Sequence, residues 1–365
     1  MAKRLPVTVI TGFLGAGKTT VLRHLLTRGG QRLAVMVNEF GSVGLDGDLI
    51  RSCGFCPEEE VDGRLVELNN GCLCCTVQDD FLPTMETLLE RADQLDGIVV
   101  ETSGLALPRP LLQALDWPAI RSRVHVNGVV TLVDGEALAA GSPVADAEAL
   151  ERQRAEDPSL DHLTAIDDLF EDQLQAADLV LISRADCLDA SAMAEVQGRI
   201  KDKVRPGTAL LPVSQGQVET SVVLGLEHKP APQEAHTHHH DHDHHDHSHV
   251  DMVGSNVRVE GAFDRQALEQ LLPSLVSNHQ VVRLKGRVWL PSKTLPLQIQ
   301  MVGPRLNSWF EAAPSHAWRP DQGCGADLVV LALNEAAAPA LESGLQRLVQ
   351  ATPAKASPAA ATPES

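Results

Sequence analysis

This sequence predicts an α/β fold: a mostly parallel sheet flanked by helices, with a small α+β domain after it. Three observations carry that expectation. Gly12–Thr19 (GFLGAGKT) fits G-x-x-x-x-G-K-[ST] at every fixed position, and lies between an apolar run and a helix-periodic one. Strand-length apolar runs then alternate with segments of helical period as far as Val213. The alternation stops at a polar His- and Asp-rich stretch, and shorter apolar runs resume from Val257. The expected organisation is a nucleotide-binding domain over 1–226, a flexible linker over 227–254, a small α+β domain over 255–350 and a disordered tail over 351–365.

Val7, Val9 and Ile10 form the first strand, and Val21, Leu22, Leu25 and Leu26 recur at helical spacing after the glycine loop. Strand, glycine loop and helix in that order is the P-loop NTPase context, in which backbone N–H groups and a helix N-terminus receive phosphate oxygens. Gly12, Gly15, Ala16, Gly17, Lys18, Thr19 and Thr20 are the candidate phosphate-binding residues. Lys18 is expected to reach the β- and γ-phosphates, and Thr19 to ligate Mg²⁺.

Leu33–Val37 reads as the second strand, ending at Asn38-Glu39-Phe40-Gly41. A carboxylate at this strand end, one crossover from the phosphate loop, is either a metal-facing group or a solvated loop residue. Five of the seven cysteines then fall between Cys53 and Cys75. Cys72, Cys74 and Cys75 form a C-x-C-C knot whose thiolates suit a soft or borderline cation such as Zn²⁺, Co²⁺ or Cu⁺. An exchangeable metal site is the leading reading, beside a structural zinc site or inert thiols. Cys53 and Cys56 either supplement that site, form a redox pair or do neither.

Phe81, Met85, Leu88, Leu89, Ala92 and Leu95 mark an amphipathic helix leading to the strand Ile98–Val100, which ends in Glu101-Thr102-Ser103-Gly104. Glu101 is expected to support Mg²⁺ directly or through water, and Gly104 to let the backbone approach the γ-phosphate. Gly128–Val133 is a further strand ending in Asp134, and 139–163 read as an irregular surface excursion. Ile166, Leu169, Phe170, Gln173, Leu174 and Ala177 make a helix, followed by the strand Leu179–Ile182 and Ser183-Arg184-Ala185-Asp186. GTP-specific P-loop proteins usually carry Asn-Lys-x-Asp there. Asp186 supplies the carboxylate that reads guanine, and Arg184 can stack on the ring in place of lysine. Leu210–Val213 is the last strand of this domain, and Ser214-Gln215-Gly216 is placed to close over the base.

Nine of the fifteen histidines lie at 236–249, alternating with aspartate. The run reads as a metal-scavenging linker or a plain solvated one. In the second domain the expected elements are a strand at Val257–Val259, a helix through Leu268–Leu275, and a hairpin of Val281–Leu284 and Val288–Leu290 around Gly286. Strands at Leu297–Val302 and Leu328–Leu333 and a helix through Leu341–Leu348 complete it. His316 and Cys324 are isolated and are not taken as ligands.

The formal net charge of −19, the absence of tyrosine and an aromatic content of 3% argue against nucleic acid and anionic membranes as partners. No apolar run reaches the length of a membrane span, and the N-terminal residues lead straight into the first strand, so a cytoplasmic location is expected.

GFLGAGKTT, VNEFG, NGCLCC, VVETSGLALP and EDQLQAADLVL, with the His/Asp linker and small second domain, resemble the CobW-type P-loop GTPases over about residues 6–350. LALPRPL, WPAIRSRVHVNGVVTLVD and HQVVRLKG resemble the cobalamin-biosynthesis branch. The resemblance implies a metallochaperone that loads a metal in the Mg²⁺-GTP state and releases it on hydrolysis. For that branch the cargo would be Co²⁺, passed toward a cobaltochelatase, with Zn²⁺ the rival cargo. It implies metal-binding roles for Cys72, Cys74, Cys75 and Glu39, with Thr19 and Glu101 serving Mg²⁺. Ser183-Arg184 departs from the family's Asn-Lys. Two other functions stay open: a metal buffer or sensor with an idle nucleotide site, and a small-molecule phosphotransferase. No cis arginine finger is evident, so slow intrinsic GTP turnover is expected.

Overall fold

The computed structural model describes residues 4–28, 31–38, 65–68, 81–146, 148, 150–152, 165–225, 252–315 and 317–351. The chain divides into two compact units, Met1–Asp251 with Val302–Arg305, and Met252–Met301 with Leu306–Ser365.

The first unit opens with β1 (Leu5–Thr11), α1 (Lys18–Arg28), β2 (Leu33–Asn38), β3 (Leu65–Leu68) and α2 (Phe81–Glu90). It continues with β4 (Gly97–Glu101), α3 (Pro108–Leu115), β5 (Val124–Asp134), α4 (Gly135–Ala139) and α5 (Ile166–Ala176). β6 (Leu179–Ser183), α6 (Ala190–Lys201), β7 (Ala209–Pro212) and α7 (Thr220–Leu224) complete it. The seven strands lie in the order β3-β2-β4-β1-β5-β6-β7, and every neighbouring pair is parallel. A parallel sheet covered on both faces needs strands apolar on both sides, so all seven residues of β1 and all five of β4 are buried. Phe81, Met85 and Leu111 pack with Val7, Val9 and Ile98 in one core. Leu169, Leu174, Val196 and Ile200 pack with Val133, Val180 and Ile182 in another.

This sheet fixes where ligands go. Strand order reverses at β1, whose neighbours β4 and β5 lead to opposite halves of the sheet. Open α/β sheets bind ligands at such a switch point, beyond the carboxyl ends of the strands. Glu101, Asp134, Ser183 and the phosphate loop all lie at those ends.

The second unit holds β8 (Val253–Glu260), α8 (Arg265–Asn278), β9 (Val281–Trp289), β10 (Leu297–Val302), β11 (Arg305–Phe310), β12 (Gly325–Ala332) and α9 (Ala337–Ala351). Its sheet runs β11-β10-β9-β12-β8, with β12 antiparallel to both β8 and β9. Leu268 and Leu272 of α8 and Leu341 and Leu345 of α9 bury against Val257, Leu284 and Leu328.

Two expectations are corrected. No hairpin turns at Gly286: β9 runs unbroken through it and pairs it with Leu328. A Cβ on Gly286 would sit 2.0 Å from the Asp327 carbonyl oxygen, so the glycine serves close strand approach rather than a turn. Nor is 139–163 wholly a surface excursion, because Val144 and Leu150 are buried in the core beside Leu138 and Leu169. β11 has no counterpart in the sequence reading, since Leu306, Trp309 and Phe310 are interrupted by polar residues and all six of its residues are only half-buried. Among the described residues, no helix is long and apolar enough to cross a membrane.

Candidate nucleotide and metal site

The phosphate loop leaves β1 at Thr11 and closes on itself before α1 begins. Gly12 takes φ +137°, and a Cβ there would lie 2.3 Å from the Leu132 carbonyl oxygen of β5, so only glycine fits. Gly15 and Gly17 also have positive φ, and the Ala16 N–H donates to the Phe13 carbonyl at 3.1 Å. Lys18 is 8% exposed; its ammonium donates to the carbonyls of Gly12 at 2.9 Å and Phe13 at 3.1 Å. The cation is thereby held across the loop at the N-terminus of α1, where an anion is favoured. Thr20 is exposed and packs against the turn at Gly216, where a Cβ would meet the Thr20 side chain at 2.8 Å.

Thr19 and Glu101 meet from different elements: the Thr19 hydroxyl donates to Glu101 Oε1 at 3.4 Å. Glu101 is 2% exposed at the end of β4. Two hard oxygen donors at this separation fit Mg²⁺, whose adjacent ligands stand about 3 Å apart in an octahedral shell. Glu101 pairs in register with Ile10 on β1 and with Val37 on β2.

Gly104 lies against the phosphate loop. A Cβ on it would stand 2.6 Å from the Leu14 amide nitrogen and 3.2 Å from Leu14 Cα. The preceding Thr102 is tied back to β1, its N–H donating to the Ile10 carbonyl at 2.9 Å and its hydroxyl to Thr11 Oγ1 at 3.0 Å. The loop after Glu101 is thus anchored at both of its ends.

On the other flank, Ser183 donates through Oγ to the Val133 carbonyl at 3.1 Å, beside Gly17, whose Cβ would lie 3.6 Å from Ser183 Cβ. Arg184 adopts a left-handed backbone, φ 54°. Its Nη1 lies 2.9 Å from Asp134 Oδ2 and 3.5 Å from Glu136 Oε2. Asp134 is buried and also caps α4, accepting from the Ala137 N–H at 3.1 Å. Asp134, which reads from the sequence only as a strand-end acid, holds the guanidinium proposed to stack on a base. Asp186 is exposed on the short helical turn that follows. Cys187 beside it is an exposed free thiol; local desolvation, then the carboxylates of Asp186 and Glu136, push its pKa up.

Glu39, Cys53, Cys56, Cys72, Cys74, Cys75 and the histidine run lie outside the described residues. Among the described residues, no cluster of three or more His, Cys, Asp or Glu is placed to hold a metal. The strands on either side of the cysteine segments are described: Asn38 at the end of β2 pairs with Leu68 at the end of β3. Glu39 follows the carboxyl end of β2, which is adjacent to β4, and the segment bearing Cys72 follows the carboxyl end of β3, one strand further out.

The family model for the CobW/HypB/UreG nucleotide-binding domain matches residues 6–212, and that for the cobalamin synthesis protein cobW C-terminal domain matches residues 252–349. The chain belongs to the CobW family of P-loop GTPases. A CobW relative from Pseudomonas aeruginosa, named a zinc chaperone, is 45% identical over 90% of this chain and 87% of its own. Another from Sinorhizobium sp, with the same name, is 41% identical over 95% of this chain and 98% of its own. Among solved structures, the zinc-bound YjiA GTPase from E. coli aligns with 95% of this chain and 99% of its own, at TM-score 0.39 and 19% identity.

Proposed function

We propose that this CobW-family GTPase is a metallochaperone: it binds a divalent metal in the GTP state and releases it on hydrolysis, with Zn²⁺ as cargo. The observation that carries the reading is the register Ile10–Glu101–Val37 across β1, β4 and β2. It sets Glu101 between the strand that feeds the phosphate loop and the strand that leads to Glu39. From Glu101, at the end of β4, one strand width of about 5 Å leads to the end of the strand that precedes Glu39.

In this reading Gly12, Gly15, Ala16, Gly17 and Thr20 line the phosphates, and Lys18 neutralises the β- and γ-phosphate charge. Thr19 and Glu101 would hold Mg²⁺, which when bound would supply positive charge to offset that of the phosphates. Gly104 brings backbone to the γ-phosphate. Asp186 accepts from the guanine N–H groups, while Arg184, steadied by Asp134, lies over the ring. Cys72, Cys74 and Cys75 ligate the cargo, joined by Glu39 as an oxygen donor.

Zinc is favoured on two grounds. Two relatives that match 90% and 95% of this chain carry the name zinc chaperone. A thiolate set also binds Zn²⁺ more tightly than Co²⁺. Cobalt is the second reading, supported by LALPRPL and HQVVRLKG, which resemble the cobalamin-biosynthesis branch, and its acceptor would be a cobaltochelatase. The test is a chelator-competition titration of Zn²⁺ and of Co²⁺ without nucleotide, with Mg²⁺-GDP and with a non-hydrolysable Mg²⁺-GTP analogue. Metal affinity should rise about 5- to 150-fold with the GTP analogue, as expected for a site coupling, and the rise should vanish in Cys74→Ala. Equal affinity in all three states would leave a metal buffer with an idle nucleotide site.

A further inference from the structure

Gln173 is buried without exposure in α5, between the core residues Phe170 and Leu174. Its Nε2 donates one N–H to the Gly104 carbonyl at 3.1 Å and the other to the Ala106 carbonyl at 3.3 Å. Its Oε1 is buried and accepts from no group among the described residues. A buried amide with an unmet oxygen costs free energy that an apolar residue at the same place would not. Helix packing therefore does not account for a glutamine here. What its amide reaches is the loop after Glu101.

That loop is held from two directions. On one side the backbone of Gly104 rests on Leu14 of the phosphate loop, too close to admit a Cβ. On the other side Gln173 takes the carbonyls of Gly104 and Ala106. Ser103, immediately before Gly104, is 5% exposed, and its hydroxyl meets no partner among the described residues. One unmet polar group in the loop and another on the side chain that holds it mark a contact arranged for something other than packing.

We propose that Gln173 is a positioning residue for GTP hydrolysis. Its two donated hydrogen bonds fix the backbone of Gly104–Ala106 against the phosphate loop, and so govern turnover rather than nucleotide affinity. This rests on the GTPase reading. Misplacing a reacting group's support by about 1 Å costs roughly 100-fold in rate. The hydrogen bonds of the Lys18 ammonium and of the Gln173 amide go to different carbonyls.

The experiment compares the full chain with Gln173→Met and Gln173→Leu, two apolar replacements close to glutamine in volume, and measures kcat and KM for GTP, GDP affinity and thermal midpoint. Thr131→Val is the control, because the Thr131 hydroxyl donates to the Gln173 backbone carbonyl at 3.2 Å and leaves the amide alone. The expected result is kcat lowered about 10- to 100-fold in both Gln173 variants. GDP affinity should stay within twofold, the midpoint should fall only by what the loss of two hydrogen bonds costs, and Thr131→Val should turn over at the parental rate. Parental kcat in the Gln173 variants would overturn the proposal. So would a joint fall of kcat, GDP affinity and midpoint, which marks a purely structural role. An inactive parent protein would instead overturn the GTPase reading, and this inference with it.

Discussion

Replacing Gly104 by alanine isolates the contact between the hydrolysis loop and the phosphate loop. Its φ lies outside the left-handed region, so the backbone accepts alanine without torsional strain. The obstacle is steric. The new methyl would stand 2.6 Å from the Leu14 amide nitrogen and 3.2 Å from both Leu14 Cα and the Phe13 carbonyl carbon. These are backbone atoms of a loop closed by Lys18, so they cannot swing aside as a side-chain tip does. Restoring ordinary contact requires the two loops to part by about 0.8 Å, and the Gln173 hydrogen bonds resist that retreat. Overpacking of this size costs about 1–3 kcal/mol of stability. The displacement is of the order that lowers catalysis about 30- to 100-fold, a barrier increase of about 2–3 kcal/mol. Phosphate release under saturating GTP reads kcat, and a fluorescent GDP analogue reads affinity. The expected outcome is the loss in kcat with GDP affinity within threefold. A kcat within twofold of the parent would refute the claim that this contact sets the reaction geometry.

Other perturbations test separate parts of the account. Arg184→Ala removes the cation over the proposed base position, worth about 1–2 kcal/mol, so GDP affinity should weaken about 5- to 30-fold while kcat at saturating GTP holds; unchanged affinity would exclude stacking. Asp178→Ala breaks the ion pairs of a fully buried carboxylate, that with Arg205 among them, and its bond from the Val129 N–H at 2.8 Å. The loss should be about 3 kcal/mol, at the low end for a buried pair because Arg205 keeps a third of its exposure and rehydrates, and an unmoved urea midpoint would contradict it. The raised pKa of Cys187 leaves little thiolate at neutral pH. Its alkylation, followed by peptide mapping, should therefore be slow at pH 7, accelerate as pH rises and slow again when GDP fills the neighbouring site; rapid modification at pH 7 would contradict the environment described.

The phosphate loop and Glu101 were legible in the sequence because their signals are local: a fixed glycine spacing and an apolar run that ends in an acid. Gly286 misled because a glycine between two apolar runs has two causes, a turn or a close strand neighbour, and only the strand partner decides. β5 begins at Val124, earlier than its apolar run, because the polar Asn127 inside it is buried and donates to Thr8 Oγ1 and to the Val223 and Leu224 carbonyls. Those partners lie about a hundred residues away and leave no local trace. Gln173 did leave one, as a polar residue at a core position of the Leu169–Leu174 pattern. That marks a buried amide but not what it binds. Asp134 was visible as a strand-end acid, whereas its hold on Arg184 depends on β5 and β6 being neighbours.

Thermodynamic reciprocity tests the central claim most directly. If GTP tightens metal at the cysteine site, metal must tighten GTP by the same factor. Titration of the non-hydrolysable GTP analogue, with Mg²⁺ present throughout, should be run on the full chain without zinc and at saturating Zn²⁺. The account predicts a nucleotide Kd lowered about 5- to 150-fold by zinc, matching the factor by which the analogue tightens zinc, and no shift for GDP. An analogue Kd indifferent to zinc would contradict a nucleotide-gated metal site.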